Sequence, residues 1–112
     1  MPAHYGYRPA RIVSGSSPVA TQIPQASGIG FAIRYKGTDE VVLTSVGEGG
    51  TAEGDFHEAL NWAGIQRLPL ITIVQNNQYA ISEPVDKEMA VCNVADRGDA
   101  YGMPGVFYDG ND

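Results

Sequence analysis

The chain has 112 residues, with 13 Asp and Glu against 7 Lys and Arg and a net charge of −6. That length suits one domain of about 100–150 residues, and the charge lacks the basic footprint of a phosphate-backbone binder, so no nucleic acid partner is expected. The longest apolar runs, over residues 41–46 and 70–74, fall far below the roughly 20 residues of a membrane helix, and the first residues carry no secretory apolar core, so no membrane contact and a cytoplasmic location are expected.

Glycine and proline, 14 and 7 residues, indicate a globular chain with many shaped loops. The opening stretch through Ser17 is the least periodic. Ser17-Pro18 carries a helix-start signature, because a serine oxygen caps free amides and proline at the first helical position loses no hydrogen bond. The spacing predicts a helix from there to about residue 35, with Val19, Ile23, Ala26, Gly30 and Ile33 facing inward, Pro24 bending its axis and Lys36-Gly37 ending it. Residues 41–46 form a nearly continuous β-branched and apolar run, the pattern of a strand covered on both faces in a parallel sheet.

Gly47-Glu48-Gly49-Gly50 then forms a loop, and Phe56, Ala59, Leu60 and Ala63 recur at helical spacing between about 52 and 66. Arg67-Leu68-Pro69 closes that helix before a second strand at 70–75. Strand, glycine loop, helix and strand make a unit with a right-handed crossover, which puts Glu48 and Asn76-Asn77 on one sheet edge, where open α/β sheets bind ligands. Beyond Asn77 the expectation is a loop to Lys87, a helical stretch over 89–101, a strand-like run over 105–108 and a closing turn. A chain ending at such a turn reads as a fragment. Cys92, the single cysteine, excludes an internal disulfide and is expected to be a small buried hydrophobe.

Three phosphate-loop signatures compete at the glycine loop. A nucleotide P-loop needs Lys after its last glycine, but Gly54 is followed by Asp55. The dinucleotide fingerprint is matched formally by 47–52, yet Glu48 sits where a pyrophosphate would approach and the second strand ends in Gln75-Asn76 without a ribose-binding acid. A metal-bridged diphosphate accommodates the acid: Glu48 and the Asn77 amide are hard oxygen ligands suited to Mg²⁺, and glycines at 47, 49 and 50 let backbone amides approach phosphate.

Gly47-Glu48-Gly49, 26 intervening residues and then Asn76-Asn77 resemble the thiamine-diphosphate motif. Met1-Pro2-Ala3-His4-Tyr5-Gly6, Ser16-Ser17-Pro18-Val19-Ala20-Thr21-Gln22-Ile23-Pro24, Glu53-Gly54-Asp55 and Asn76-Asn77-Gln78-Tyr79-Ala80-Ile81-Ser82 extend the resemblance to the alpha subunits of 2-oxo acid dehydrogenases. The glutamate in the metal position, the Ser-Ser-Pro run and the Tyr-Ala-Ile-Ser ending are more similar to the branched-chain (2-oxoisovalerate) type.

The resemblance implies an α/β, parallel-sheet, three-layer thiamine-diphosphate-binding fold with helices on both faces, of which residues 1–112 are a single core region and partial domain. It implies an enzyme that decarboxylates a branched-chain 2-oxo acid and passes the acyl group to a lipoyl carrier, with a pyruvate or acetoin dehydrogenase alpha subunit as the alternative substrate class. By the same resemblance Glu48, the Asn77 side chain and the Tyr79 carbonyl hold Mg²⁺. Gly49 and Gly50 meet phosphate through their backbones, and Ser17 and Val19 contact the cofactor. Ser16, Pro18, Thr21 and Gln22 match a structural K⁺ site, and His4 matches a histidine lining the substrate channel.

The implied partners are a beta subunit in an alpha2beta2 assembly and a lipoyl-bearing acyltransferase component; in a eukaryote the location becomes the mitochondrial matrix. The beta subunit's carboxylate, a later phosphate-contacting histidine and an earlier Tyr-Arg pair fall outside this stretch, so the isolated chain is expected to show little activity. Gln75 stands where some branched-chain relatives place Arg. Of the remaining polar residues, His57 reads as helix surface, and Glu53, Asp55 and Glu58 as acids favoured by a helix amino end. A non-enzymatic alternative is an inactive assembly module pairing through the small-residue strip Ala59, Ala63 and Gly64.

Overall fold

The computed structural model describes residues 4–111; the Met1-Pro2-Ala3 part of the opening motif and Asp112 of the closing turn lie outside the described residues. The chain is an α/β unit. Helix α1 (Gln22–Lys36) precedes strand β1 (Val42–Gly47), a 3₁₀ turn (Glu48–Ala52), helix α2 (Gly54–Gln66) and strand β2 (Leu70–Gln75). The two strands pair parallel and in register from Val42↔Leu70 to Gly47↔Gln75, as the strand–loop–helix–strand reading requires.

Helix α1 begins at Gln22, four residues later than Pro18, the first helical position that the Ser17-Pro18 signature predicts. Ala20 adopts a left-handed conformation, φ 67°, which ends the preceding turn. It stays fully buried, and its Cβ makes this conformation a costly one. Pro24 thereby falls in the first helical turn, where its missing N–H has no intrahelical partner to lose, and it has no interior hydrogen bond to displace. Val19, expected on the inward face, is exposed, whereas Ile23, Ala26, Ser27 and Gly30 point inward. Gly37 ends the helix at φ 69°, donating its N–H to the Arg34 carbonyl.

The core forms where small residues let the two helices close. Ile23 and Ala26 of α1 pack with Phe56, Ala59, Leu60 and Ala63 of α2 over Val46 and Leu70, with Val42 and Val74 at its margin. The Ser27 hydroxyl donates to the Ala59 carbonyl at 3.3 Å inside this seam, and Phe31 and Trp62 close its outer side with ring centroids 5.3 Å apart. The strip expected to receive a partner helix is therefore consumed internally. Ala59 and Ala63 are buried under α1, and a Cβ at Gly64 would run into the Tyr101 carbonyl oxygen. This removes the basis for assembly through that face.

Even-numbered β1 and β2 residues face this core, while Leu43, Ile71 and Ile73 on the opposite face are exposed. The run read as covered on both faces is covered on one among the described residues, because both long helices stack on the same side. The three-layer arrangement is represented here by the sheet and one helical layer.

The stretch expected as loop after Asn77 instead forms a two-residue hairpin, β3 (Tyr79–Ala80) with β4 (Glu83–Pro84), followed by a single helical turn, α3 (Val85–Glu88). The expected helical stretch over 89–101 narrows to a 3₁₀ helix, Val94–Tyr101, begun by a reciprocal cap between Asn93 and Asp96. Residues 105–108 form no strand, since none of the described residues offers them a ladder partner. Cys92, expected buried, is exposed.

His57 is half-buried, sharing a hydrogen bond through Nδ1 with the Tyr101 hydroxyl. This pairing latches the 94–101 helix onto α2. Burial raises the Tyr101 phenol above its ordinary 10.0, so the neutral phenol is the form the fold prefers. A folded-state value above the unfolded one gives stability that is whole below about pH 10 and lost as pH rises through the folded value. Tyr101→Phe is expected to lower stability at pH 7 by about 1 kcal/mol and to abolish this alkaline loss. Urea unfolding between pH 7 and 11 checks both.

Candidate diphosphate and metal site

Because β1 and β2 run parallel and in register, their carboxyl ends finish level at Gly47 and Gln75. The next residues of each strand, Glu48 and Asn76-Asn77, are thereby delivered to one edge. Glu48 is 2% exposed. Its Oε2 accepts the Asn77 backbone N–H at 3.4 Å, and its Oε1 is buried with no hydrogen-bond partner. Among the described residues the sole ion pair is Arg11–Glu40, far along the chain. A desolvated carboxylate with an unpartnered oxygen and no cationic side chain fits a bound cation, since buried charges are paired or coordinate metals.

The paired asparagines shape the second wall. Asn76 Oδ1 accepts the Gln78 N–H and Asn77 Oδ1 accepts the Tyr79 N–H, each at 2.9 Å. The asparagines act as side-chain acceptors in a tight turn, and the left-handed residues are Gln78, φ 74°, and Ile81, φ 59°. An amide oxygen has two lone pairs, so Asn77 Oδ1 retains one for a ligand. Tyr79, whose carbonyl is the third expected metal donor, is the first residue of β3 and is exposed.

Gly49 and Gly50 are required by packing. A Cβ at Gly49 would lie 2.5 Å from the Ala80 Cβ, and one at Gly50 would lie 2.5 Å from Val46 Cγ2 and 3.0 Å from Val19 Cγ1. Both positions exclude side chains for packing reasons alone. Gly50 is buried, leaving Gly49 the more open of the two. Val19, displaced from the helix face it was expected to occupy, is thereby brought against the loop.

Ser17 also lies in the turn before α1, and its Oγ is 2.9 Å from His4 Nε2, while His4 Nδ1 is 3.1 Å from the Gly15 carbonyl. The structure thus joins two residues that the resemblance singled out separately. Of the four residues matched to a K⁺ site, Ser16 and Thr21 are half-buried and Pro18 is exposed. The Gln22 side chain donates to the Ser45 carbonyl of β1 at 2.8 Å, tying the start of α1 to the strand. A separate cleft of about 1090 Å³ between residues 6–15, α1 and the start of β1 contains Gln22 and none of the expected diphosphate residues.

Sequence reasoning missed the residues that stiffen the loop. Thr51 is fully buried; its hydroxyl donates to the Glu48 carbonyl at 2.6 Å and approaches Met89 Sδ at 3.8 Å. Arg97 donates to both the carbonyl and the hydroxyl oxygen of Thr51. No motif marks Arg97, which lies 46 residues from its partner. Gly49→Ala is expected to lower the melting temperature by several degrees, consistent with an overpacking cost of about 1–3 kcal/mol. Gly47→Ala, with nothing within 4 Å of the added carbon, is expected to leave it within about 1 °C. Thermal unfolding of both variants checks this.

Comparison with known proteins gives the family. The profile of the dehydrogenase E1 component family matches residues 1–112. The chain is 50% identical to the 2-oxoisovalerate dehydrogenase subunit alpha of Bacillus subtilis, covering all of this chain and 34% of that protein. It is 43% identical to the mitochondrial 2-oxoisovalerate dehydrogenase subunit alpha of Bos taurus, covering 25% of it, and 39% identical to the alpha 1 subunit of Arabidopsis thaliana, covering 24%. It spans about a quarter to a third of the length of these relatives, and over that span it belongs to the dehydrogenase E1 component family.

Proposed function

We propose that this chain is the diphosphate- and Mg²⁺-anchoring core of a thiamine-diphosphate-dependent 2-oxo acid dehydrogenase alpha subunit of the branched-chain type. The observation that carries the reading is the buried Glu48 carboxylate with one unpartnered oxygen beside the Asn77 turn. Similarity to subunits named for 2-oxoisovalerate supports the branched-chain substrate over pyruvate or acetoin.

Glu48 and Asn77 Oδ1, with the Tyr79 carbonyl, would hold Mg²⁺, and Gly49 would present its backbone to a phosphate. Ser17 and Val19 would line the cofactor's approach from the α1 side, with His4 beside Ser17. Thiamine diphosphate, when bound, supplies the electron sink that lets a 2-oxo acid lose carbon dioxide and its acyl group pass to a lipoyl carrier. This chain's residues contribute position: the rigid edge fixes the diphosphate end, so the reactive end has a defined place. Ser16, Pro18, Thr21 and Gln22 would hold K⁺ and brace the start of α1. A beta subunit and a lipoyl-bearing acyltransferase would complete the assembly, in the cytoplasm or in a mitochondrial matrix.

Isothermal titration of thiamine diphosphate into the chain, with Mg²⁺ and then with EDTA, tests the anchor. Binding is expected only with the metal, and Glu48→Gln is expected to weaken it by at least about 100-fold, more than loss of an outer partner costs. Metal-independent binding, or an unaffected variant, overturns the site. The K⁺ proposal predicts a higher melting temperature in K⁺ than in Na⁺, rising with concentration as RT ln(1 + [K⁺]/Kd); equal melting in the two salts overturns it.

A further inference from the structure

Besides Glu48, one other carboxylate among the described residues has a buried oxygen without a hydrogen-bond partner: Glu88, the last residue of α3, through its Oε2. Its other oxygen, Oε1, reaches the Glu48–Ala52 turn, lying 3.2 Å from the position a Cβ on Gly49 would take. Glu88 thus comes to the loop from a different element than Glu48 does, and flanks the glycine whose backbone is the expected phosphate contact. Neither carboxylate has an ion-pair partner among the described residues. Arg97, the guanidinium that reaches this turn, is engaged by the Thr51 carbonyl and hydroxyl oxygens.

Two residues that meet at this turn thus each keep one buried carboxylate oxygen without a donor, whereas buried polar atoms are satisfied in the large majority of cases. A divalent cation held by Glu48 would give both a partner. Mg²⁺ bound through few protein oxygens keeps several waters, and carboxylates that accept from metal-bound groups orient them and strengthen binding. We propose that Glu88 is a positioning residue of the Glu48 cation site, accepting a hydrogen bond from a water on the metal; this rests on the anchoring role proposed for Glu48. Its position in the first loop-and-helix turn after β4 carries no motif signal.

The test uses Mn²⁺ as the probe, followed by the electron-spin-resonance signal of the free ion, without any diphosphate. The 112-residue chain is expected to bind Mn²⁺, Glu88→Gln to weaken that affinity about tenfold or more, and Glu48→Gln to weaken it further. Glu88→Gln is also expected to hold or raise the metal-free melting temperature, because it removes an unpaired buried charge while keeping the shape. Unchanged Mn²⁺ affinity in Glu88→Gln alongside loss in Glu48→Gln overturns the Glu88 role and leaves the Glu48 site standing. A lowered metal-free melting temperature likewise overturns it, by showing the carboxylate serves the fold. No Mn²⁺ binding by the unsubstituted chain overturns both.

Discussion

Burial of the Glu48 carboxylate at the end of β1 is the constraint on which the rest of this edge depends. A charge taken out of water must be matched by a cation, by donors or by a proton, and the fold supplies one donor, the Asn77 N–H. Replacing such a group with an apolar residue of similar volume is often neutral or stabilising, so its presence is better explained by a ligand than by the fold. The surrounding hydrogen bonds agree. Thr51 fixes the Glu48 carbonyl and Arg97 fixes Thr51, which holds the backbone of the acid rigid while leaving its side chain an open valence.

The placement of that acid follows from the sheet. In-register parallel pairing makes the strands end level, and a side-chain period of two means a one-residue slip would turn the Val42 and Val46 set away from the helices. The core that fixes the register is built on small residues, Ala26, Ser27, Ala59 and Ala63, which bring α1 against α2. Packing far from the edge thereby sets the separation of Glu48 and Asn77. The same close packing claims the alanine strip of α2, so that strip belongs to the interior of the chain.

Much of this was legible in the sequence because it is carried by local pattern. The second strand lies at 70–75 as the apolar run predicts, the first is shifted by a single residue, and the glycine loop and the paired asparagines fall on one edge as the crossover demands. The start of α1 was not legible: Ser17-Pro18 has the chemistry of a cap, but a left-handed Ala20 intervenes, and no propensity rule places alanine there. Nor was the fate of residues 105–108, since β-branched and aromatic composition describes a surface that suits pairing and says nothing about whether a partner edge exists. His57, Arg97 and Glu88 escaped because their roles arise from contacts across long sequence separations, which periodicity does not encode.

Charge couples the ligands that such a site would take. The chain carries −6 overall, Glu48 is buried at the loop, and a diphosphate would bring further negative charge to the same few ångströms. Like charges at that range in a poorly screened site repel strongly, and no Lys or Arg side chain among the described residues pairs with Glu48 to relieve it. Glycine backbone amides offer only partial charges. On the proposed reading, a divalent cation at Glu48 would turn both anions from opponents into ligands, so a bound metal would favour the diphosphate and the diphosphate the metal. By linkage, each would then raise the affinity of the other by the same factor, at a loop where packing already keeps positions 49 and 50 free of side chains.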